Sequence, residues 1–151
     1  MREVTLYTDG ACSGNPGRGG YGAVLLFTDN KGTTHRRELS EGFKETTNNR
    51  MEIMGVIKGL EALKEPCRVN LFSDSRYVVD AISKGWAVKW RSNNWMRNKK
   101  DPALNPDLWE KLLEILEKHE VTFHWVKGHA SNVENERCDK LAREAIGGGS
   151  K

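Results

Sequence analysis

The stretch that decides the fold is TDGACSGNPGRGGYG, Thr8 to Gly22. Upstream of it Val4, Leu6 and Thr8 alternate with Thr5, Tyr7 and Asp9, a period of two that reads as a strand delivering Asp9 to its very end. Gly10, Gly14, Gly17, Gly19, Gly20 and Pro16 then exclude a helix. Two readings of this run stand side by side. It is either a glycine-rich hairpin connection carrying a surface aspartate, or a loop whose main-chain N–H groups approach a ligand closely.

Working outward, Tyr21–Phe27 is a second strand, Asp29–Gly32 a turn and Thr33–Phe43 a polar third strand, together an antiparallel meander. Thr46, Thr47 and Asn48 offer capping side chains to a helix whose stripe is Ile53, Val56, Ile57, Leu60 and Leu63, stopped by Glu65-Pro66. Glu52 lies near its start on a different face, where the helix dipole favours negative charge. Val69–Ser73 is a fourth strand with Asp74 directly after it, and Ser75 opens a helix through Ile82. Periodicity then fades, with Trp86, Trp90 and Trp95 set among basic residues from Gly85 to Leu104. Asn105-Pro106 reads as a cap with proline at the first helical position, before the stripe Leu108, Leu112, Ile115 and Leu116. Val121–Val126 is a fifth strand, and a last helix from about Val133 to Ile146 buries Cys138, Leu141, Ala142 and Ala145, leaving Asn135 and Asp139 four apart on a neighbouring face. Strand–helix–strand after a meander implies a mixed sheet, with ligands beyond the strand ends. One domain is expected over 1–146, with 147–151 a flexible tail.

A chain of 151 residues can bury about two-thirds of its unfolded surface without disulfides or a structural metal. Cys12, Cys67 and Cys138 are odd in number and lack C-x-x-C spacing, which argues against a disulfide framework or zinc site and for a cytoplasmic location. No segment reads as a membrane span or signal peptide. A monomer with no obligate protein partner is expected, for want of an exposed apolar stripe. The net charge of +3 is unevenly placed: Lys84, Lys89, Arg91, Arg97, Lys99 and Lys100 occur with no acid between them, leaving 18 basic against 21 acidic residues elsewhere. Such a patch on an acidic body is a footprint for a polyanion. Trp86 and Trp90, four apart, also fit a small packed helix with the lysines as its solvated face.

Asp9, Asp74, Glu52 and Asp139 take similar places at strand ends and on helices. If they converge, their repulsion demands cations, and oxygen ligands without nearby histidine or cysteine favour Mg²⁺ or Mn²⁺. Two such ions roughly 4 Å apart can clamp the attacking and leaving oxygens of a phosphodiester. The plainer alternative is four independent surface acids among 21. His129, in a Gly-His-Ala loop, suits either a proton carrier or an ordinary surface histidine.

Four stretches together resemble type I ribonuclease H: TDGACSGNPGRGGYG, TTNNRMEIM (Thr46–Met54), SDS (Ser73–Ser75) and WVKGHASNVENERCDKLA (Trp125–Ala142). The resemblance spans about Val4 to Ile146. It implies an α/β ribonuclease H-like fold, a five-stranded mixed sheet of antiparallel meander plus parallel strands with helices on both faces. It implies endonucleolytic hydrolysis of the RNA strand of an RNA·DNA hybrid with two Mg²⁺ or Mn²⁺ ions, leaving 5′-phosphate and 3′-hydroxyl ends. Asp9, Glu52, Asp74 and Asp139 would be the metal-binding catalytic carboxylates, with Asp9 best placed to bridge both ions. His129 would assist proton transfer or product release. Asn15, Asn48 and Asn49 would contact the minor groove, and backbone around Cys12 and Gly14 the RNA 2′-hydroxyls, the group that distinguishes RNA from DNA. Asn135 would lie beside the last ligand, and Ser75 would stand by the substrate after Asp74. Trp86, Lys89, Trp90, Arg91, Lys99 and Lys100 would belong to a basic protrusion gripping the DNA strand. Thr47 and Asn105 match a DNA-phosphate pocket, but Glu45 stands where some relatives carry arginine. The family's separate amino-terminal hybrid-binding domain is not expected here. Other readings are a non-catalytic hybrid-binding module, a DNA-cutting nuclease of the same fold, or the nuclease portion of a reverse transcriptase. Clustered acids argue against a pure polyanion binder.

Overall fold

The computed structural model describes residues 1–128 and 132–148. In chain order the elements are β1 (Arg2–Gly14), β2 (Gly17–Thr28), β3 (Thr34–Thr46), α1 (Asn48–Glu61), β4 (Cys67–Ser73), α2 (Arg76–Ser83), α3 (Trp86–Ser92), α4 (Pro106–Leu116), β5 (Glu120–Trp125) and α5 (Val133–Gly148). The sheet order is β3-β2-β1-β4-β5. Its first three strands are antiparallel, and β4 lies parallel to both β1 and β5. The mixed five-stranded sheet expected from the sequence is therefore present, with α1 on one face and α5 on the other.

The glycine-rich run is not a loop. It forms the two arms of a long hairpin, Gly10 pairing with Tyr21 and Gly14 with Gly17, which leaves only Asn15 and Pro16, joined by a cis bond, at the tip. Asp9 consequently sits inside β1 rather than at its end. The strand-end argument survives in another form, because the parallel ladder stops at Thr8↔Ser73. Asp9 and Asp74 are each the first residue past its last rung. The glycines are there for close approach. A Cβ on Gly10 would lie 2.6 Å from the Glu52 backbone nitrogen, and one on Gly22 would lie 2.3 Å from the Cys138 carbonyl oxygen. Missing side chains let α1 and α5 settle against the sheet backbone on opposite faces.

Thr47 caps α1, its Oγ1 accepting from Arg50 N–H at 3.2 Å. The stripe Ile53, Val56, Ile57 and Leu60 is completely buried against Leu6, Val69 and Leu71, with Trp109 and Leu112 of α4 closing the layer. The buried Trp109 indole N–H finds the Tyr77 hydroxyl at 3.2 Å, satisfying its one polar group. On the other face Val24, Cys138 and Leu141 form a smaller cluster with Tyr7 and Leu26.

Two local readings change. Pro106 does open α4, but Asn105 adopts a left-handed conformation (φ 59°) and its side chain makes no cap. Its amide is committed elsewhere, Oδ1 accepting from Arg50 at 3.2 Å and Nδ2 donating to the Tyr77 hydroxyl at 3.3 Å. At the carboxyl end α5 takes in Gly147 and Gly148, two residues beyond the expected stop. Trp86 and Trp90 do share the short helix α3: Trp90 turns inward, edge-on to Trp109, and Trp86 stays 41% exposed. No helix among the described residues is long and apolar enough to cross a membrane.

Candidate active site

β1, α1 and β4 bring three carboxylates together. Asp9, Glu52 and Asp74 each offer an oxygen within 4.8 Å of the others. Asp9 and Glu52 are both only 5% exposed, and Asp74 is half-buried. The Gly10 N–H donates to Asp9 Oδ1 at 2.9 Å, while Glu52 Oε1 is buried without a hydrogen-bond partner. Burial pushes the Asp9 carboxyl up to about 8, with the charges of Asp74 and Asp139 adding to the effect. Burial first, then the charges of Asp9 and Asp74, hold Glu52 well above the ordinary range. Uncompensated buried carboxylates are costly unless paired or ligating a metal. Three hard oxygen donors, one of them orphaned, therefore fit a divalent cation of the Mg²⁺ or Mn²⁺ type.

Asp139 stands apart from this trio. Its charge reaches Asp9, yet its Oδ2 accepts from the Arg143 guanidinium one turn along α5 at 2.9 Å. The expected foursome is thus three gathered acids and a fourth held at the cleft by an arginine. Asn135 is buried beside it on α5, its Oδ1 unpartnered and its N–H donating to Asn132 Oδ1 at 2.9 Å, as at a helix cap. His129 lies outside the described residues.

The hairpin tip meets the start of α1 through Asn48 N–H donating to Asn15 Oδ1 at 3.1 Å. Asn49 follows in the same turn, and Gly14 is exposed at the tip. Cys12 is half-buried, its thiol donating to the Thr46 carbonyl at 3.4 Å. Ser75 is committed to structure, its Oγ accepting from Val78 N–H as the α2 cap. Lys89, Lys99 and Lys100 are exposed and Arg91 half-buried. Their segment packs through α3 on α2 and α4.

Several neighbours carry no periodic signal. Arg50 makes a two-pronged pair with Asp107 (2.8 and 3.1 Å) and reaches Asn105, which places a cation between Thr47 and Asn105 despite Glu45. The Trp125 indole donates to the Asp74 carbonyl at 3.1 Å, and Arg76 stacks 3.9 Å above its ring. Both lie within or beside the quoted motifs, yet only long-range contacts reveal their roles. A separate groove of about 410 Å³ lined by Val4, Leu25, Phe27 and Leu63 lies at the opposite end of the sheet from the acids.

Residues 1–147 match the family model described as RNase H. The chain belongs to the ribonuclease H family. It is 68% identical over 142 residues to Ribonuclease H of Desulforamulus reducens, covering 94% of this chain and 86% of that protein. Ribonuclease HI of Synechocystis sp. is 66% identical, with 93% and 85% covered. Among solved structures, LC9-RNase H1, described as a type 1 RNase H with the type 2 active-site motif, superposes with a TM-score of 0.89 at 32% identity over 99% of this chain and 74% of that one. LC11-RNase H1, solved in complex with an RNA/DNA hybrid, gives 0.70 at 28% identity, covering 95% and 96%. The family is metal-dependent, and the trio of one half-buried and two buried acids sits on its fold.

Proposed function

We propose that this ribonuclease H cuts the RNA strand of RNA·DNA hybrids at the Asp9–Glu52–Asp74 cleft, holding two Mg²⁺ or Mn²⁺ ions there with Asp139 as the fourth carboxylate. The observation that carries this reading is the trio itself, acids within 4.8 Å of one another, two of them buried and one oxygen orphaned, on a chain of this family. The hybrid bound by LC11-RNase H1 supports the substrate class. When bound, the cations activate the attacking water and stabilise charge on the leaving oxygen. Asp9 and Asp74, fixed just past the last rung of the parallel β1–β4 ladder, and Glu52, fixed by the close approach of α1, hold ligand oxygens in place before substrate arrives. Hydrolysis there would leave 5′-phosphate and 3′-hydroxyl ends.

The Asn15–Asn48 junction and Asn49 read the minor groove, and backbone at Cys12 and Gly14 lies beside RNA 2′-hydroxyls. Arg50, Thr47 and Asn105 face a DNA phosphate, with Arg50 supplying the charge that Glu45 does not. The α3 segment adds sequence-independent grip on the backbone. Asn135 steadies the start of α5 beside Asp139, and His129 assists proton transfer or product release. The enzyme acts as a cytoplasmic monomer.

The test is cleavage of an end-labelled hybrid beside matched double-stranded DNA and double-stranded RNA, with Mg²⁺, with Mn²⁺ and with chelator. RNA-strand cutting of the hybrid alone, abolished by chelator, is the expected outcome. A hybrid bound but uncut in both metals would replace this reading with a binding module, and cutting of the DNA duplex with a DNA nuclease.

A further inference from the structure

The fourth carboxylate differs from the other three in its partner. Among the described residues, Arg143 is the one cation paired with any of Asp9, Glu52, Asp74 and Asp139. The pair is built by helix geometry, since residues four apart on α5 face the same way. Asp139 nevertheless stands over the strand that carries the trio: its neighbour Cys138 lies against Gly22, the β2 partner of Asp9, and donates its thiol to the Tyr7 carbonyl at 3.3 Å. One carboxylate thus has two claimants, an arginine now in contact and a divalent cation whose site lies beside it.

The two cannot be served together without cost. With Oδ2 held by the guanidinium at 2.9 Å, a divalent cation on the other oxygen would sit against a full positive charge in a partly buried cleft. Release is easy on the arginine's side. Its side chain is 63% exposed while that of Asp139 is 23% exposed, so the guanidinium can turn into water without disturbing the packing. We propose that Arg143 is a built-in competitor for the metal site, occupying Asp139 until a divalent cation displaces it, so that the α5 carboxylate is the last to join. This rests on the metal reading above and concerns the order and strength of cation binding. The trio would load the tighter ion, and the weaker one would await the opening of the Asp139–Arg143 pair.

Exposed ion pairs of this kind stabilise weakly, which makes the competition reversible and sets its size. Mn²⁺ and Mg²⁺ titrations of the full chain by calorimetry, without nucleic acid, provide the test. In Arg143→Gln the weaker binding event should tighten by about two- to fivefold while the tighter one stays unchanged. Arg143→Lys, which keeps a cation in reach of Asp139, should return the weaker event toward the wild-type value. Lys140→Gln removes one exposed charge from the same helix without touching Asp139, and should leave both events as they are. Unchanged binding in Arg143→Gln, or an equal gain in Lys140→Gln, would overturn the competition while leaving the metal site intact. Absence of cation binding in the wild-type chain would remove the metal reading and this inference together.

Discussion

Against α1 the sheet presents Leu6, Leu25, Val69 and Leu71 to a continuous apolar layer that extends through Ile53, Val56 and Ile57 to Trp109 and Leu112 of α4. Against α5 it presents little beyond Val24, Tyr7 and Leu26, and the helix rests on glycine backbone and is clamped at its edge by ions. Arg36 reaches Glu134 at 2.7 Å and Glu38 at 2.8 Å, and Arg137 reaches Glu38 at 2.7 Å. The acids divide along the same line. Those on the sheet and on α1 are gathered within 4.8 Å, whereas Asp139, carried by α5, is held by an arginine. A thick core fixes side chains it never touches, by fixing the backbone beneath them.

The largest expected effect separates the gathered acids from everything else. Asp9→Asn should lower hybrid cleavage by about 10²–10³-fold or more. The same change should raise stability in chelator at pH 7 by at least about 1 kcal/mol, since the fold opposes the ionisation that the Asp9 carboxyl has in the unfolded chain. Cleavage assays and chemical denaturation check the two halves, and a variant losing both activity and stability would contradict this picture.

Next come the two faces themselves. Leu71→Ala should cost about 2–5 kcal/mol through its cavity in the apolar layer. Gly22→Ala should cost about 1–3 kcal/mol by forcing α5 off the sheet, its new methyl clashing with the Cys138 carbonyl. Urea unfolding of each variant, with cleavage measured alongside, sharpens the contrast.

The site's own pH dependence is spread over several pH units. Asp9 titrates near 8 in the folded chain against 3.8 as an unperturbed group, so between those values the folded state binds more protons than the unfolded one. Without divalent cation, stability should therefore fall as pH rises through that window, by up to about 1.4 kcal/mol per pH unit for each such group. Cation binding should release protons near neutral pH and reverse the slope. Thermal melts from pH 5 to 9, with Mg²⁺ and with chelator, read both signs.

The smallest effect belongs to the clamp. Glu38→Gln should cost less than about 1 kcal/mol, and less still in high salt, because its arginine partners are partly solvated. A larger, salt-insensitive loss would mean that α5 depends on this contact more than on its glycine bed.

Much of this was legible in local pattern. The alternation around Leu6 and the stripe from Ile53 to Leu60 mark a strand and a helix because burial on one side repeats with the period of the backbone. Asp74 was recognisable as an acid directly after a strand, whereas Asp9, expected at a strand end, lies inside β1 and only past the end of its parallel ladder. The hairpin was harder, since glycines that permit a loop and glycines that permit a helix to touch a strand are the same letters. Asn105 had the composition of a cap, but Arg50 and Tyr77 outbid the helix end for its amide.

The sequence by itself determined the order of the elements, their amphipathic faces and the supply of acids, because each follows from spacing along the chain. Only the tertiary structure decided which acids meet, that Arg50 reaches Asn105 and Asp107, and that the Trp125 indole bonds the Asp74 carbonyl. These depend on distances between residues far apart in sequence, set by how closely α1 and α5 approach the sheet.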